Sequence, residues 1–135
     1  MAFNGYLIRV INGANSYTIP LEYMKLESYK IAPNQRQDLD SYRDANGYLH
    51  RNVLAHTATK IEFETPYLYR SQMRSLIQNI RALFSDNLAR TLTLEYYDEE
   101  SDTYKTGTFY MPGTVEYNLY NKNIYAPSRF AFIEY

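Results

Sequence analysis

The sequence contains no cysteine and no tryptophan among its 135 residues, and only five glycines and five prolines. Without cysteine the chain can form neither a disulfide nor a zinc–thiolate site, and it offers no thiol nucleophile. Its apolar runs fall short of the ~20 residues needed to span a bilayer, and its first residues lack the basic-then-apolar pattern of a signal peptide. We therefore expect a soluble protein, made in a cytoplasm, that has no membrane partner.

The residue patterns that usually carry catalysis are missing as well. His50 and His56 could bind a metal with a carboxylate such as Asp44, but nothing in the sequence fixes that geometry. The sequence has no Gly-x-Ser-x-Gly elbow and no glycine-rich phosphate loop. The segment "DEESDT" lacks the glycine and the closing glutamate of a calcium loop. The sequence thus predicts a protein that is not an enzyme and that uses no cofactor and no metal.

Charge and aromatic content narrow the choice of partners. The formal net charge is -1, whereas a dedicated nucleic-acid binder normally carries a basic excess. We therefore expect no specific nucleic-acid partner. Sixteen tyrosines are present, and tyrosine is favoured both in β-strands and on contact surfaces between proteins. Either explanation accounts for the tyrosine content.

Alternating or β-branched segments predict seven or eight strands. The alternation is clearest in "HTATKIEFETP", residues 56–66. We expect another strand to end at Pro33, because proline has no N–H to donate to a neighbouring strand. The segments predicted as strands are residues 5–11, 16–20, 24–33, 56–66, 90–98, 103–112, 113–121 and 128–135.

Helical spacing occurs in one segment, where Met73, Leu76, Ile77, Ile80, Leu83 and Phe84 form a single apolar stripe. The stripe predicts an α-helix over about residues 70–86, with Ser71 as N-cap and a stop at Asp86 and Asn87. Strands before and after a single helix predict a mainly β (α+β) fold in one domain, residues 1–135. We expect an antiparallel β-sandwich or barrel with the helix flanking it.

A long polar segment, about residues 34–55, separates two of the predicted strands. Loops of this length are uncommon inside a compact domain and are usually functional or disordered. The turn signal "DANG" at residues 44–47 allows its flanks to pair as a loose, extended hairpin. Disordered loops are poor in large apolar residues, whereas this one carries several, among them Leu39, Tyr42, Tyr48 and Leu49. We therefore interpret it as an arm that reaches onto a neighbouring subunit.

Charges of opposite sign cluster on two other predicted elements. The helix carries arginines without acidic partners at helical spacing, and the acids of a hairpin tip are expected to be surrounded by water. Pairing within one chain would explain both, and so would a head-to-tail contact between copies. The residues predicted for a subunit interface are Leu39, Tyr42, Arg43, Tyr48, Leu49, Arg51, Arg70, Arg74, Arg81, Asp98, Glu99, Glu100 and Asp102.

The text "YKIAPNQRQDLDSYRDANGYLHRNVLAHTATKIEFETPYL", followed by a helix, "YKTGTFYMP" and "FIEY", resembles a small family of uncharacterised proteins from prophages and phages of Gram-positive bacteria. Members of that family are taken to be tail components. The order of elements is also similar to the tail-tube and distal-tail fold, a β-sandwich with a flanking helix and a long loop that reaches the adjacent subunit of a ring. The resemblance implies that residues 33–54 form the arm between subunits and that residues 57–65 form the strand after it.

The function predicted from these observations is that of a structural subunit of a phage or prophage tail: a tube, distal-tail or tail-completion component. Its partners would be further copies of itself, in a ring or tube, and other tail proteins. It would be located in the virion tail and, during assembly, in the host cytoplasm. The alternative is a monomeric β-sandwich module that binds carbohydrate or peptide through a tyrosine-rich face.

Overall fold

The computed structural model describes residues 3–38, 40–112 and 116–135. Its main sheet is built from seven strands: β1 (Ile8–Asn12), β2 (Asn15–Thr18), β3 (Lys25–Asp38), β6 (Val53–Glu64), β8 (Thr91–Asp98), β9 (Thr103–Tyr110) and β12 (Arg129–Glu134). Two smaller sheets contain β4 (Tyr42–Arg43) with β5 (Leu49–His50), and β7 (Leu68–Tyr69) with β10 (Leu119–Asn121) and β11 (Ile124–Tyr125). A 3₁₀ turn covers Leu21–Tyr23, and helix α1 covers Arg70–Arg81.

The main sheet is antiparallel and has the strand order β2-β1-β8-β9-β12-β6-β3. The predicted fold class is confirmed: the chain is mainly β, and the described residues include one α-helix. The sheet does not close into a barrel, because β2 and β3 remain as its two edges. The hairpin of β1 and β2 turns at Gly13, whose φ of 61° lies in the left-handed region that glycine tolerates.

The core lies between the main sheet and α1. Alternation in β6 places Thr59, Ile61 and Phe63 inside, as predicted for that face. The apolar stripe of α1 buries Met73, Leu76 and Ile80 in the same cluster as the sheet residues. The helix also contacts β7 and β11, so the three-stranded sheet is attached to the core through the helix.

Two details of the predicted helix are wrong. Its N-cap is Tyr69 rather than Ser71, and the backbone N–H of Tyr69 donates to the side chain of Gln72 at 2.9 Å. It ends at Arg81 rather than near residue 86. The last apolar residues of the stripe, Leu83 and Phe84, are nevertheless buried, because i→i+3 hydrogen bonds to Ile80 and Arg81 carry the chain on in a tighter turn.

Two strand boundaries also differ from the prediction. β3 does not end at Pro33 but runs on to Asp38. It is an edge strand, where a proline can face away from the partner strand, and its register to β6 shifts between Ala32 and Gln35. The predicted strand over residues 113–121 is reduced to β10, with residues 113–115 outside the described part of the chain.

Candidate assembly surface

The polar segment at residues 34–55 is a two-stranded extension of the main sheet; we call it the arm. The pairing of β6 with β12 ends at Lys60, which lies opposite Ile133. The register of β6 with β3 continues to Val53, opposite Asp38. Pairing of the two flanks agrees with the hairpin expected from the sequence, although the pairing is more regular than that of a loose loop.

The end of the arm is a small hairpin made by β4 and β5. The Asp44 carboxylate accepts hydrogen bonds from the backbone N–H groups of Asn46 and Tyr48, at 2.9 and 3.1 Å. Gly47 supplies the positive φ, 84°, that the turn requires. The predicted "DANG" turn is therefore formed, and the aspartate side chain holds it.

Large apolar side chains of the arm lie open to solvent. Tyr48 is 71% exposed and Tyr42 is 59% exposed, although the ring of Tyr42 stacks on His50 at a centroid distance of 4.8 Å. Leu49 is about half exposed. We call Tyr42, Tyr48 and Leu49 the arm-tip cluster. Leu39, which was predicted to belong with them, lies outside the described residues.

Most charged side chains of the arm bind groups of the arm itself. The Arg51 guanidinium donates two hydrogen bonds to Asp38, at 2.9 and 3.1 Å, and this contact lowers the pKa of Asp38. His50 Nε2 lies 2.8 Å from Asp44, and Arg43 donates to the carbonyl of Gly47 at 2.9 Å. Two of the five arginines predicted for a subunit interface, Arg43 and Arg51, thus first serve to hold the shape of the arm.

A polar cluster fixes the point where the arm leaves the sheet. Asn34, which has a φ of 53°, donates through Nδ2 to the Asp98 carboxylate at 2.9 Å. Lys105 Nζ lies 2.9 Å from the same carboxylate. On the other side, the backbone N–H of Asn34 donates to the Thr59 hydroxyl at 3.1 Å. The hairpin of β8 and β9 is in this way tied to the base of the arm.

Asp98 is fully buried, at 0% exposure, so the expectation that water surrounds it is wrong. Burial by itself raises the pKa of Asp98, but hydrogen bonds from Asn34, Lys105, Ser101 and the Glu100 backbone outweigh burial and lower the pKa to about 2. This side chain therefore acts inside its own chain and is not available to a partner. The three other acids of the tip do lie at the surface.

Among those surface acids, Asp102 has a partner in its own chain. It accepts a hydrogen bond from the Tyr97 hydroxyl, and this bond, ahead of burial, raises the pKa of Tyr97 to about 12. Glu99 and Glu100 are exposed, and within the described ranges no ion pair involves either of them. These two carboxylates are the part of the predicted acidic surface that is open to a partner.

The three helix arginines differ in whether their side chains bind groups of their own chain. Arg70 donates to the Lys122 carbonyl at 3.0 Å and to the Tyr125 hydroxyl at 3.2 Å, and its guanidinium lies over the Tyr125 ring. It therefore joins α1 to the three-stranded sheet. Arg74 and Arg81 are exposed and line a shallow depression with Ile77 and Gln78. Only these two present free positive charge on the helix surface described by the structure.

A second exposed apolar surface, which the sequence did not predict, covers the three-stranded sheet. The rings of Tyr67 and Tyr120 meet edge to face at 5.5 Å, and both are more than 60% exposed. Tyr69 and Leu119 are exposed beside them. We call these four residues the small-sheet patch. The density of tyrosine in "PYLY" and "YNLY" is the signal in the sequence that could have indicated it.

Of the side chains considered as metal ligands, His50 and Asp44 lie together, but His56 lies apart from them. His50 binds Asp44, whereas the ring of His56 lies 2.9 Å from the carbonyl oxygen of Tyr135. Within the described residues, no three histidine, aspartate or glutamate side chains are grouped so that they could hold a metal ion. Over the same residues, no helix is long and apolar enough to cross a bilayer.

One protein family and one solved structure are similar to this chain over all or nearly all of its length. A family model described as a family of unknown function (DUF6711) matches residues 1–135. The fold is similar to that of a chain in a solved structure of the tail of an empty GTA particle. That structure was computed with helical refinement and C6 symmetry. The TM-score is 0.56 at 13% sequence identity, and the alignment covers 99% of this chain and 95% of that one. No curated protein matches the sequence.

Proposed function

Since the chain belongs to the family of unknown function DUF6711, we propose that this family contributes a structural subunit to phage or prophage tails. The subunit assembles into a ring or tube through its arm, as a tube, distal-tail or tail-completion component. Its partners are further copies of itself and other tail proteins, and it uses no cofactor. The subunit belongs to phages of Gram-positive bacteria. It is assembled in the host cytoplasm and becomes part of the virion tail.

The observation that carries this proposal is the arm. A hairpin ordered by its own turn and ion pairs projects from the sheet and presents Tyr48 and Leu49 to water. Burying a large apolar side chain stabilises a protein by about 1.5–3 kcal/mol. A monomer that leaves these side chains in water does not gain that stabilisation, whereas contact with a second copy supplies it.

The likeness of fold supports the same proposal. The similar chain belongs to the tail of an empty GTA particle, and that tail has C6 symmetry. A six-fold ring is held together by heterologous contacts, in which one surface of a subunit meets a different surface of the next. A subunit with an arm at one edge and a separate receiving surface is suited to that arrangement.

The proposal predicts self-association of the purified protein. We expect light scattering after size exclusion to give a mass that rises with concentration to a defined multimer, and electron microscopy of the same fractions to show rings or tubes. A monomer at every concentration up to the millimolar range would contradict the proposal. That result would favour the monomeric binding module with a tyrosine-rich face.

Charge complementarity gives a second prediction. With Asp98 buried, the acidic surface open to a partner is Glu99 and Glu100, and we propose that it meets Arg74 and Arg81 of the next copy. We expect Glu99→Lys with Glu100→Lys to weaken assembly at least about tenfold at low salt, because like charges then face each other. Assembly is measured as the concentration at the midpoint of the light-scattering curve.

The matched control for this charge reversal changes Glu22 and Glu27 to lysine, which alters the net charge equally at exposed positions elsewhere. Combining the reversed tip with Arg74→Glu and Arg81→Glu in one chain is expected to restore assembly. Equal weakening by the control and by the tip variant would show a general effect of net charge and would count against this contact.

A further inference from the structure

Two exposed apolar surfaces of this chain have no cover among the described residues: the arm-tip cluster and the small-sheet patch. Each contains three or four large side chains that are roughly half exposed or more. A tyrosine buries about 150–250 Å² when it is fully covered, so each surface offers on the order of 300 Å² of apolar contact. The largest apolar patch on a typical monomer is on the order of this size and is often functional.

The two surfaces lie at opposite ends of β6. The arm-tip cluster precedes the first residue of β6, Val53, and Tyr67 follows three residues after the last, Glu64. Twelve residues of strand at about 3.3 Å each separate the ends by about 40 Å. The small sheet lies at the far end, because Arg129 pairs with Glu64 and β11 precedes Arg129 by four residues.

This placement favours contact between copies in a head-to-tail sense. One surface that bound its own counterpart would suffice for a closed dimer, whereas two different surfaces at opposite ends allow each copy to bind one neighbour on either side. The shapes also agree. The arm tip projects, while Tyr67, Tyr120 and Ile124 line an open depression of about 310 Å³ on the small sheet, which has room for a protruding side chain such as that of Leu49.

The free charges beside the two surfaces have opposite signs. Asp40, next to the arm-tip cluster, is exposed and forms no ion pair among the described residues, whereas Arg43 and Arg51 are held by the arm itself. Beside the small-sheet patch, Lys122 is exposed and its ammonium group likewise forms no ion pair among those residues. Opposite charge at the rims of two apolar surfaces speeds and orients their association.

We propose that the arm-tip cluster of one copy docks on the small-sheet patch of the next copy. The inference rests on the proposed function and adds the surface that receives the arm. The contact places Tyr48 and Leu49 against Tyr67 and Tyr120, so that aromatic rings cover the apolar arm tip and the tyrosine hydroxyl groups stay at the wet rim.

A mixing experiment tests the pairing of these two surfaces. The arm variant carries Tyr48→Ser and Leu49→Ser, and the patch variant carries Tyr67→Ser and Tyr120→Ser. Each variant alone retains only one of the two surfaces, so we expect each to be monomeric at concentrations where the wild type assembles. An equimolar mixture retains one complete contact and is expected to form 1:1 heterodimers and nothing larger.

Cross-linking provides a second measurement that does not depend on the strength of a single contact. Because the chain has no cysteine of its own, Leu49→Cys in one preparation and Tyr120→Cys in another, distinguished by a mass tag, place one thiol on each surface. We expect a short bismaleimide to link the two preparations at least about tenfold more than a control pair of Leu49→Cys with Leu88→Cys. Leu88 is 97% exposed and lies outside both surfaces.

The outcomes separate this inference from the proposed function. If the wild type assembles but Leu49→Cys links to Tyr120→Cys no better than to Leu88→Cys, the docking surface is wrong and the tail-subunit proposal stands. Links mainly between two Leu49→Cys chains would show that arms meet arms and would also overturn the inference. A wild type that stays monomeric would overturn both.

Discussion

The chain with Tyr48→Ser and Leu49→Ser is expected to fold as stably as the wild type and to lose assembly. Both side chains are largely exposed in the single chain, at 71% and 49%, so their removal leaves the free energy of unfolding within about 0.5 kcal/mol. In the assembly the same side chains are buried, and serine gives up about 3 kcal/mol of apolar contact per interface. We expect the midpoint concentration of assembly to rise about 100-fold.

Two measurements on the same protein check this expectation: urea unfolding for stability and light scattering against concentration for assembly. The backbone groups of Tyr48 that close the turn are kept in the serine variant, so the shape of the arm is preserved. Leu88→Ser is the matched control, because it removes an exposed leucine outside the arm. A loss of unfolding free energy well above 1 kcal/mol in the arm variant would show that the arm tip is covered by its own chain.

Local patterns in the sequence predicted much of the fold. The strand at β6 could be predicted because its side chains alternate, so that Ile61 and Phe63 are buried while Glu64 is exposed. The helix could be predicted because Met73, Leu76 and Ile80 recur at helical spacing. In both cases the hydrophobic pattern that predicts the element lies entirely within that element's own residues.

Features that depend on distant contacts could not be predicted. The path of β3 beyond Pro33 follows from its place at the edge of the sheet, which no local pattern reveals. The burial of Asp98 depends on Asn34, 64 residues earlier in the sequence. The small-sheet patch is formed by short strands from two separate regions, one before the helix and one near residues 119–125. The composition gives the number of tyrosines, but the sequence does not show that tyrosines from these two regions lie next to each other.

The same contrast holds for the predicted interface residues. Tyr42, Tyr48 and Leu49, which were predicted to be covered by a partner, are exposed in the single chain. Charge alone was a poorer guide, because Arg51 and Arg70 are each engaged by groups of their own chain. Formal charge counts every ionised side chain alike, whereas only tertiary structure decides which of them are free.

Asp98→Ala is expected to cause the largest loss of stability among substitutions of charged residues in this chain. The carboxylate is fully buried and accepts hydrogen bonds from Asn34, Lys105 and Ser101. Removing the carboxylate of this ion pair takes away the buried acceptor that these three donors share. Because Lys105 is partly exposed and can turn to solvent, we expect a cost of about 3 kcal/mol in the free energy of unfolding, measured by urea at pH 7.

Glu100→Ala is the matched control for this substitution, since it removes a neighbouring carboxylate that is exposed, and it is expected to change the free energy of unfolding by less than about 0.5 kcal/mol. The arm should also respond to Asp98→Ala, because Asn34 at its base loses its acceptor. We expect faster hydrogen exchange at the arm base in this variant than in the control. Equal stability of the two variants would contradict the role assigned to the buried carboxylate.

The pH dependence of Asp98→Asn separates the charge of the carboxylate from its packing. The folded pKa is about 2, below the ordinary value of 3.8, so the unfolded chain binds the proton more readily. The stabilisation, about 2 kcal/mol, is fully present above pH 4 and is lost as the pH falls toward 2. Wild type and the asparagine variant should therefore differ most at neutral pH, and their unfolding free energies should converge between pH 4 and 2. A difference that stays constant over that range would show that the stabilisation does not come from the ionised form.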